Sequence, residues 1–336
     1  MIYYCMRRSR KVNVRAGAAL LFGLASPSGP ALAQSGIWTL QEENAKVSAA
    51  GLTDHFYTNG IDAAWMSPAG DVPVPLAELE RTVWGGGDMR YGFGVSQQIY
   101  TPADTGRFVP DPRDRPYAGV LTANLTLLRD TADTRDTFTI NAGLVGPDAL
   151  AELVQNGAHN LIRHPDVRGW NGQIANTPVI EALTDHIWRV PVGVVGAMEA
   201  DVLPAISVAA GDLREYVQAG MTVRIGQGLD ADFGVPRIRP GLSGGDAFTP
   251  VRAVSWYVFA GVDGQAVGYD LLLQTAPFRS GPHVSPVWDI GEGQVGVAAI
   301  IDGMRLTLAY VAQTQEFHGQ SGGLHQFGSF SLSVRF

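Results

Sequence analysis

Cysteine is almost absent from the 336-residue sequence, and the single one, Cys5, sits in a segment not expected to fold. Residues 1–33 carry basic residues up to Arg15, the apolar run AGAALLFGLASPSGPALA and a small-x-small site at Ala31-Leu32-Ala33, the layout of a cleaved secretory signal peptide. The pair Arg7-Arg8 is common in basic leader regions, so ordinary secretion rather than twin-arginine export is the working reading. An exported chain of about 300 residues without cysteine has no disulfides, and its stability must come from a large core or a closed barrel. Long apolar runs are also missing after the signal: Val190 to Met198, the most apolar stretch, falls far short of the roughly 18 to 20 residues of a spanning helix. Helical membrane proteins are excluded. Positive charge is scarce too. Five of the 24 Lys and Arg lie in the signal and none of the 32 Asp and Glu do, which leaves the mature chain at −13 and removes nucleic acid as an expected partner. A soluble periplasmic β protein or an outer-membrane β-barrel remains.

What the chain does have is period-two alternation. In Tyr216 to Gly226, Val217, Ala219, Met221, Val223 and Ile225 face one way and Gln218, Gly220, Thr222 and Arg224 the other. Ile37 to Val47, Asp54 to Met66, Met89 to Tyr100, Leu121 to Leu127, Asp136 to Val145, His186 to Ala197 and Val202 to Gly211 read as further strands. Gly293 to Ile301 and Arg305 to Gln315 form a hairpin about Asp302-Gly303, and FSLSVRF closes the chain. Ser67 to Gly87, Thr101 to Arg115 and Gln227 to Pro250 read as loops. A sandwich uses the same alternation as a barrel. Three features favour the barrel: one face rich in Ser, Thr, Gln, Asn and Gly, a signal peptide without a spanning helix, and a terminal strand ending in Phe336. With Val251 to Gln274 taken as one long bent strand, the expectation is an all-β fold, a single transmembrane antiparallel β-barrel of twelve strands over residues 34–336. The tryptophans, Trp38, Trp65, Trp84, Trp170, Trp188, Trp256 and Trp288, are spread as interfacial girdles would be.

One stretch breaks the alternation. GPDALAELVQNGAHNLIRHPDVRGWNGQIAN, Gly146 to Asn176, begins as helices begin, runs through helix formers to about residue 163, and ends in a Pro/Gly/Asn loop. Glu152, Gln155 and His159 share one helix face, Leu150, Val154 and Leu161 another. His159 is the side chain there best suited to proton transfer near neutral pH. His164 and Asp166 read as solvated loop residues. Gly241-Leu242-Ser243-Gly244-Gly245 matches G-x-S-x-G but lacks the strand before and helix after that a nucleophile elbow needs, and is read as chance.

Five ordered motifs, YTNG (57–60), QQIYTPAD (97–104), DRPYAG (114–119), GPDALAELVQNGAH (146–159) and GWNGQIAN (169–176), resemble the outer-membrane lipid A 3'-O-deacylases, the LpxR family. The resemblance is concentrated in residues 37–176. It implies a twelve-stranded barrel in the Gram-negative outer membrane, acting as a monomer on lipid A of lipopolysaccharide among outer-membrane lipids. It also implies a calcium-dependent site between wall and helix, where a histidine activates water and the metal stabilises the oxyanion as a 3'-acyloxyacyl chain leaves. His159 matches the base, Asn44 the polar residue ending the first strand, Thr58 the threonine of YTNG, and Gln155 the glutamine one turn before the histidine. Asn44 and Thr58 are thereby candidate metal ligands, and Arg107 is the one residue representing the family's basic substrate-binding loop.

The chain departs from the family at Ala45, where the pattern has an aspartate. Losing a carboxylate weakens an oxygen-ligand site for Ca2+, and Glu43, on the same strand face as Ala45, is the nearest replacement. Two other readings stand beside the deacylase: a barrel phospholipase, for which no serine–histidine pairing is evident, and a weakened or inactive relative that keeps the scaffold.

Overall fold

Alternation of outward apolar and inward small polar residues gives antiparallel strands wherever expected, and their pairing closes a cylinder. The computed structural model describes residues 36–47, 55–238, 240–277 and 279–336; the expected signal peptide lies outside them. The strands are β1 (Ile37–Asn44), β2 (Phe56–Met66), β3 (Asp88–Thr101), β4 (Ala118–Asp130), β5 (Thr134–Val145), β6 (Thr177–Trp188), β7 (Val190–Val195), β8 (Met198–Gly211), β9 (Arg214–Gln227), β10 (Val254–Asp270), β11 (Asp289–Ile301), β12 (Met304–Gln313) and β13 (His325–Arg335). β1 closes on β13 in a register running from Ile37 opposite Arg335 to Asn44 opposite Gly328. β8 is paired by β6 along Glu181–Ile187 and then by β7, so β6 and β7 are two segments of one stave and the barrel has twelve. Arg189 stands at the break, and its guanidinium donates to the carbonyls of Ala132 and Asp232. Closure through β1–β13 and β6–β8 leaves no open edge along the body of the wall, the condition for a sheet to stand in lipid, and among the described strands only β7, which extends past the start of β5, is paired on one side.

Three expectations need correction. Ser67 to Gly87 is not all loop, because it contains α1 (Val74–Trp84). Its LAELER core consists of good helix formers, bracketed by Pro75 near the start and Gly85 (φ 81°) past the end, and those flanks masked it. The sixth strand begins at Thr177, not His186. Val251 to Gln274 is one strand only as far as Asp270, whose Oδ1 accepts from the Leu272 amide at 2.8 Å and turns the chain into the short α3 (Leu271–Gln274).

Along β1, Trp38 and Leu40 are exposed and Thr39, Gln41 and Glu43 buried, so the polar face looks into the lumen. Trp38 faces Trp65 across β1 and β2, and Trp188 and Trp256 stand exposed at the same end of the barrel, in keeping with a girdle. Trp170 departs from that expectation and is buried. The lumen is filled rather than open. The segment after β9, read as a loop, folds inward and buries Leu229, Phe233, Val235, Ile238 and Phe248. Inward arginines hold it: Arg224 bonds Asp232 at 2.6 Å and Asp201 at 2.5 Å, Arg305 meets Asp232 at 3.3 Å, and Arg237 reaches Glu43 at 2.6 Å. Ser243 of the G-x-S-x-G match lies within this plug, accepting from the Arg237 amide at 3.1 Å, and has no nucleophile-elbow geometry.

Candidate active site between wall and helix

The helix α2 (Ala151–Ile162) follows a short 3-10 turn, Pro147–Ala149, and lies on the outside of the wall. The five motifs explain how it is held. Gly146 has φ 120°, and a Cβ there would stand 2.7 Å from the Asn176 amide nitrogen, so only glycine lets the two ends of the stretch meet. The Asn176 Oδ1 accepts from the Asp148 amide at 3.0 Å. Gly119 gives α2 its seat, because a Cβ would come within 2.5 Å of the Ala151 methyl. Gln97 donates to the Ala149 carbonyl at 2.6 Å. Ile99, Tyr117, Ala151, Val167 and Trp170 form the apolar contact beneath the helix.

The helix is seated by the polar residues of its wall-facing side. Ala151, Gln155 and His159, four residues apart, are buried, whereas Glu152 is exposed and leaves the shared face expected of it. Leu150, Leu153 (68 % exposed), Leu161 (86 % exposed) and Ile162 are turned outward. Gln155 Oε1 accepts from the Trp170 indole at 3.0 Å, which fixes helix to loop and accounts for the burial of Trp170.

His159 is 3 % exposed. Its Nδ1 lies 2.8 Å from the Pro165 carbonyl, which can only accept, so Nδ1 carries the proton and Nε2 is the basic nitrogen. Nε2 lies 3.2 Å from Lys46 Nζ. His164 is an exposed loop residue, as expected, and it also packs edge-on against His159 with ring centroids 4.5 Å apart. Asp166 is exposed, as expected.

Asn44 ends β1 on the outer face with Trp38, Leu40 and Glu42. Its Oδ1 accepts from the Lys46 amide at 2.9 Å, so Asn44 is tied to His159 through Lys46. Thr58 sits at a bulge in the β2–β3 pairing and bonds the Thr101 hydroxyl at 2.7 Å, on the strand face that also carries Ile99 beneath α2. The Thr58 carbonyl accepts from the Ala45 amide at 3.0 Å. Arg107 lies in the exposed β3–β4 loop, 3.4 Å from Asp111 and 3.7 Å from Asp104.

Lys46, Thr101 and His164 were missed as site residues. Lys46 lies in the turn just past β1, where strand periodicity no longer says which way a side chain points. Glu43 does share a face with Ala45, but that face looks inward. There Glu43 is committed to Arg237, and Ala45 packs in a buried cluster with Tyr57, Tyr100 and Phe327. Neither contributes a carboxylate beside His159. Among the described residues no three His, Cys, Asp or Glu side chains cluster to hold a metal, and an ammonium lies beside the base. The donors among the described residues do not fit Ca2+, which takes six to eight oxygens, usually with carboxylates among them.

The comparisons agree with this architecture. No curated protein matches the sequence. Among solved structures, LpxR from Salmonella typhimurium superposes with a TM-score of 0.73 at 20 % identity, covering 89 % of this chain and 100 % of that one, and shares its barrel fold. The β domain of the Bordetella autotransporter BrkA aligns over 90 % of this chain and 100 % of its own at a TM-score of 0.44 and 11 % identity. The family described as outer membrane protein LpxR matches residues 18–336, nearly the whole chain, and the protein belongs to that family.

Proposed function

We propose that this barrel hydrolyses the 3'-linked acyloxyacyl ester of lipid A, with His159 as the base. The observation that carries the reading is the setting of His159. Its Nδ1 is pinned to a carbonyl and its Nε2 turned to a cation, on a helix whose opposite side is bare leucine and isoleucine outside the barrel wall. An apolar outer surface on the helix that carries the base suits a site that works among acyl chains rather than on a soluble ester. Nε2 takes a proton from water as the water oxygen bonds the ester carbonyl carbon. The carbon–oxygen bond to the sugar then breaks and the sugar oxygen recovers that proton, giving a free acid and a hydroxyl. Gln155 acts through the helix, holding His159 in register by its bond to Trp170. Asn44 fixes the turn that carries Lys46, Thr58 lies on the wall beneath the helix, and Arg107 on the exposed loop suits a lipid A phosphate.

Mass spectrometry of lipid A and of glycerophospholipids, each incubated in detergent with the purified barrel and with His159→Ala, tests this. Loss of the 3'-acyloxyacyl group, abolished in the variant and with phospholipids left intact, is expected. Cleavage of phospholipids instead establishes the phospholipase reading, and unchanged lipids with a folded barrel establish an inactive relative.

A further inference from the structure

We propose that Lys46 supplies the positive charge that stabilises the oxyanion, so that this chain hydrolyses its ester without calcium; the inference rests on the ester-hydrolase reading above. Two features of neighbouring residues on one strand end lead to it. At position 45 the methyl points inward into a cluster of Tyr57, Tyr100 and Phe327, where a metal-binding carboxylate would face the lumen and not the base. At position 46 the chain presents an ammonium on the outer face, 3.2 Å from His159 Nε2. The turn bearing it is fixed on both sides, by Asn44 Oδ1 on the Lys46 amide at 2.9 Å and by the Ala45 amide on the Thr58 carbonyl at 3.0 Å.

In the resting site the ammonium donates to Nε2. When water takes that place, the flexible four-carbon stem lets the ammonium move to the adjacent carbonyl oxygen of a bound ester. Water's oxygen bonds the carbonyl carbon, Nε2 takes its proton, and the carbonyl π pair moves onto oxygen, where the Lys46 N–H groups bond it. On collapse the bond to the sugar oxygen breaks and the imidazolium returns its proton there. Lys46 remains an ammonium throughout, and no further reactant is required. A preorganised donor at the developing charge, away from bulk water, is worth about 10²- to 10³-fold in rate.

The test uses the full chain in detergent with lipid A, in chelator and in millimolar calcium, together with calcium titration of the protein by calorimetry and the variants Lys46→Gln and Lys46→Arg. Expected are equal rates in chelator and calcium, no calorimetric calcium binding, a kcat lowered about 100-fold in Lys46→Gln at unchanged KM, and partial rescue by Lys46→Arg. Should Lys46→Gln fail to fold, the calorimetry and Lys46→Arg still decide. Stoichiometric calcium binding with activity abolished by chelator overturns the inference and leaves the deacylase reading standing, as does a Lys46→Gln variant with unaltered kcat. No deacylation under any condition overturns both.

Discussion

The lumen and the outer seam beneath α2 both bury polar side chains, and they do so to different effect. In the lumen buried ion pairs hold the plug: Asp232 receives Arg224, Arg305 and the Tyr257 hydroxyl. A polar cavity of about 140 Å3, lined in part by Asp62, Gln98, Asn141 and Glu181, sits inside that network. The seam is poorer in charge, yet it holds an imidazole with one nitrogen pinned at 2.8 Å and the other beside an ammonium at 3.2 Å, bordered by exposed leucines. Density of charge therefore marks how this barrel is filled. The orientation of a single base marks where we propose that it reacts.

The sharpest break in that comparison is His159→Ala, expected to lower the deacylation rate about 10³-fold with the barrel still folded by circular dichroism, a loss of rate far larger than the loss of helix docking. Asp232→Ala should do the reverse. It leaves Arg224 and Arg305 buried without their shared partner and costs about 3–5 kcal/mol in denaturant unfolding, with activity per folded molecule retained. Trp170→Phe tests whether the seam depends on its scaffold: removing the indole donor to Gln155 should cost about 1–2 kcal/mol of helix docking and lower kcat several-fold, with amide exchange in α2 accelerated. The smallest effect belongs to neither region. Glu80 of α1 is buried with no partner on either carboxylate oxygen, and burial pushes its carboxyl from 4.5 up to about 7. The folded state thus holds that proton more tightly than the unfolded one. The contribution is present below about pH 4.5 and is lost as pH rises through about 7, so the protection of α1 amides relative to their intrinsic exchange rate should be lower at pH 8 than at pH 5, and Glu80→Gln should remove the difference.

Most of the wall was legible because alternation is local. Val217 to Ile225 declares its two faces without reference to any other part of the chain, and so does FSLSVRF. α1 was not legible, since prolines and glycines on either side outweighed an eleven-residue helical pattern that only its docking beside β4 confirms. In the site, spacing put Gln155 and His159 on one helix face, and they are buried together. Glu43 shows the limit of the same reasoning. Period two correctly grouped it with Ala45, but which side of the wall that group faces depends on how the sheet closes, and it faces Arg237 in the lumen.

The sequence by itself determined a β-barrel of the outer membrane, from strand periodicity and the lack of spanning helices; it also determined that one helix carries Gln155 and His159 on a single face. Only the tertiary structure decided that Lys46 meets His159 across 113 residues of chain, that the segment after β9 enters the lumen, and that the leucines of α2 face outward. The physical reason is that periodicity is a property of adjacent residues, whereas these contacts depend on closing β1 against β13 and seating a helix on the outside of the finished wall.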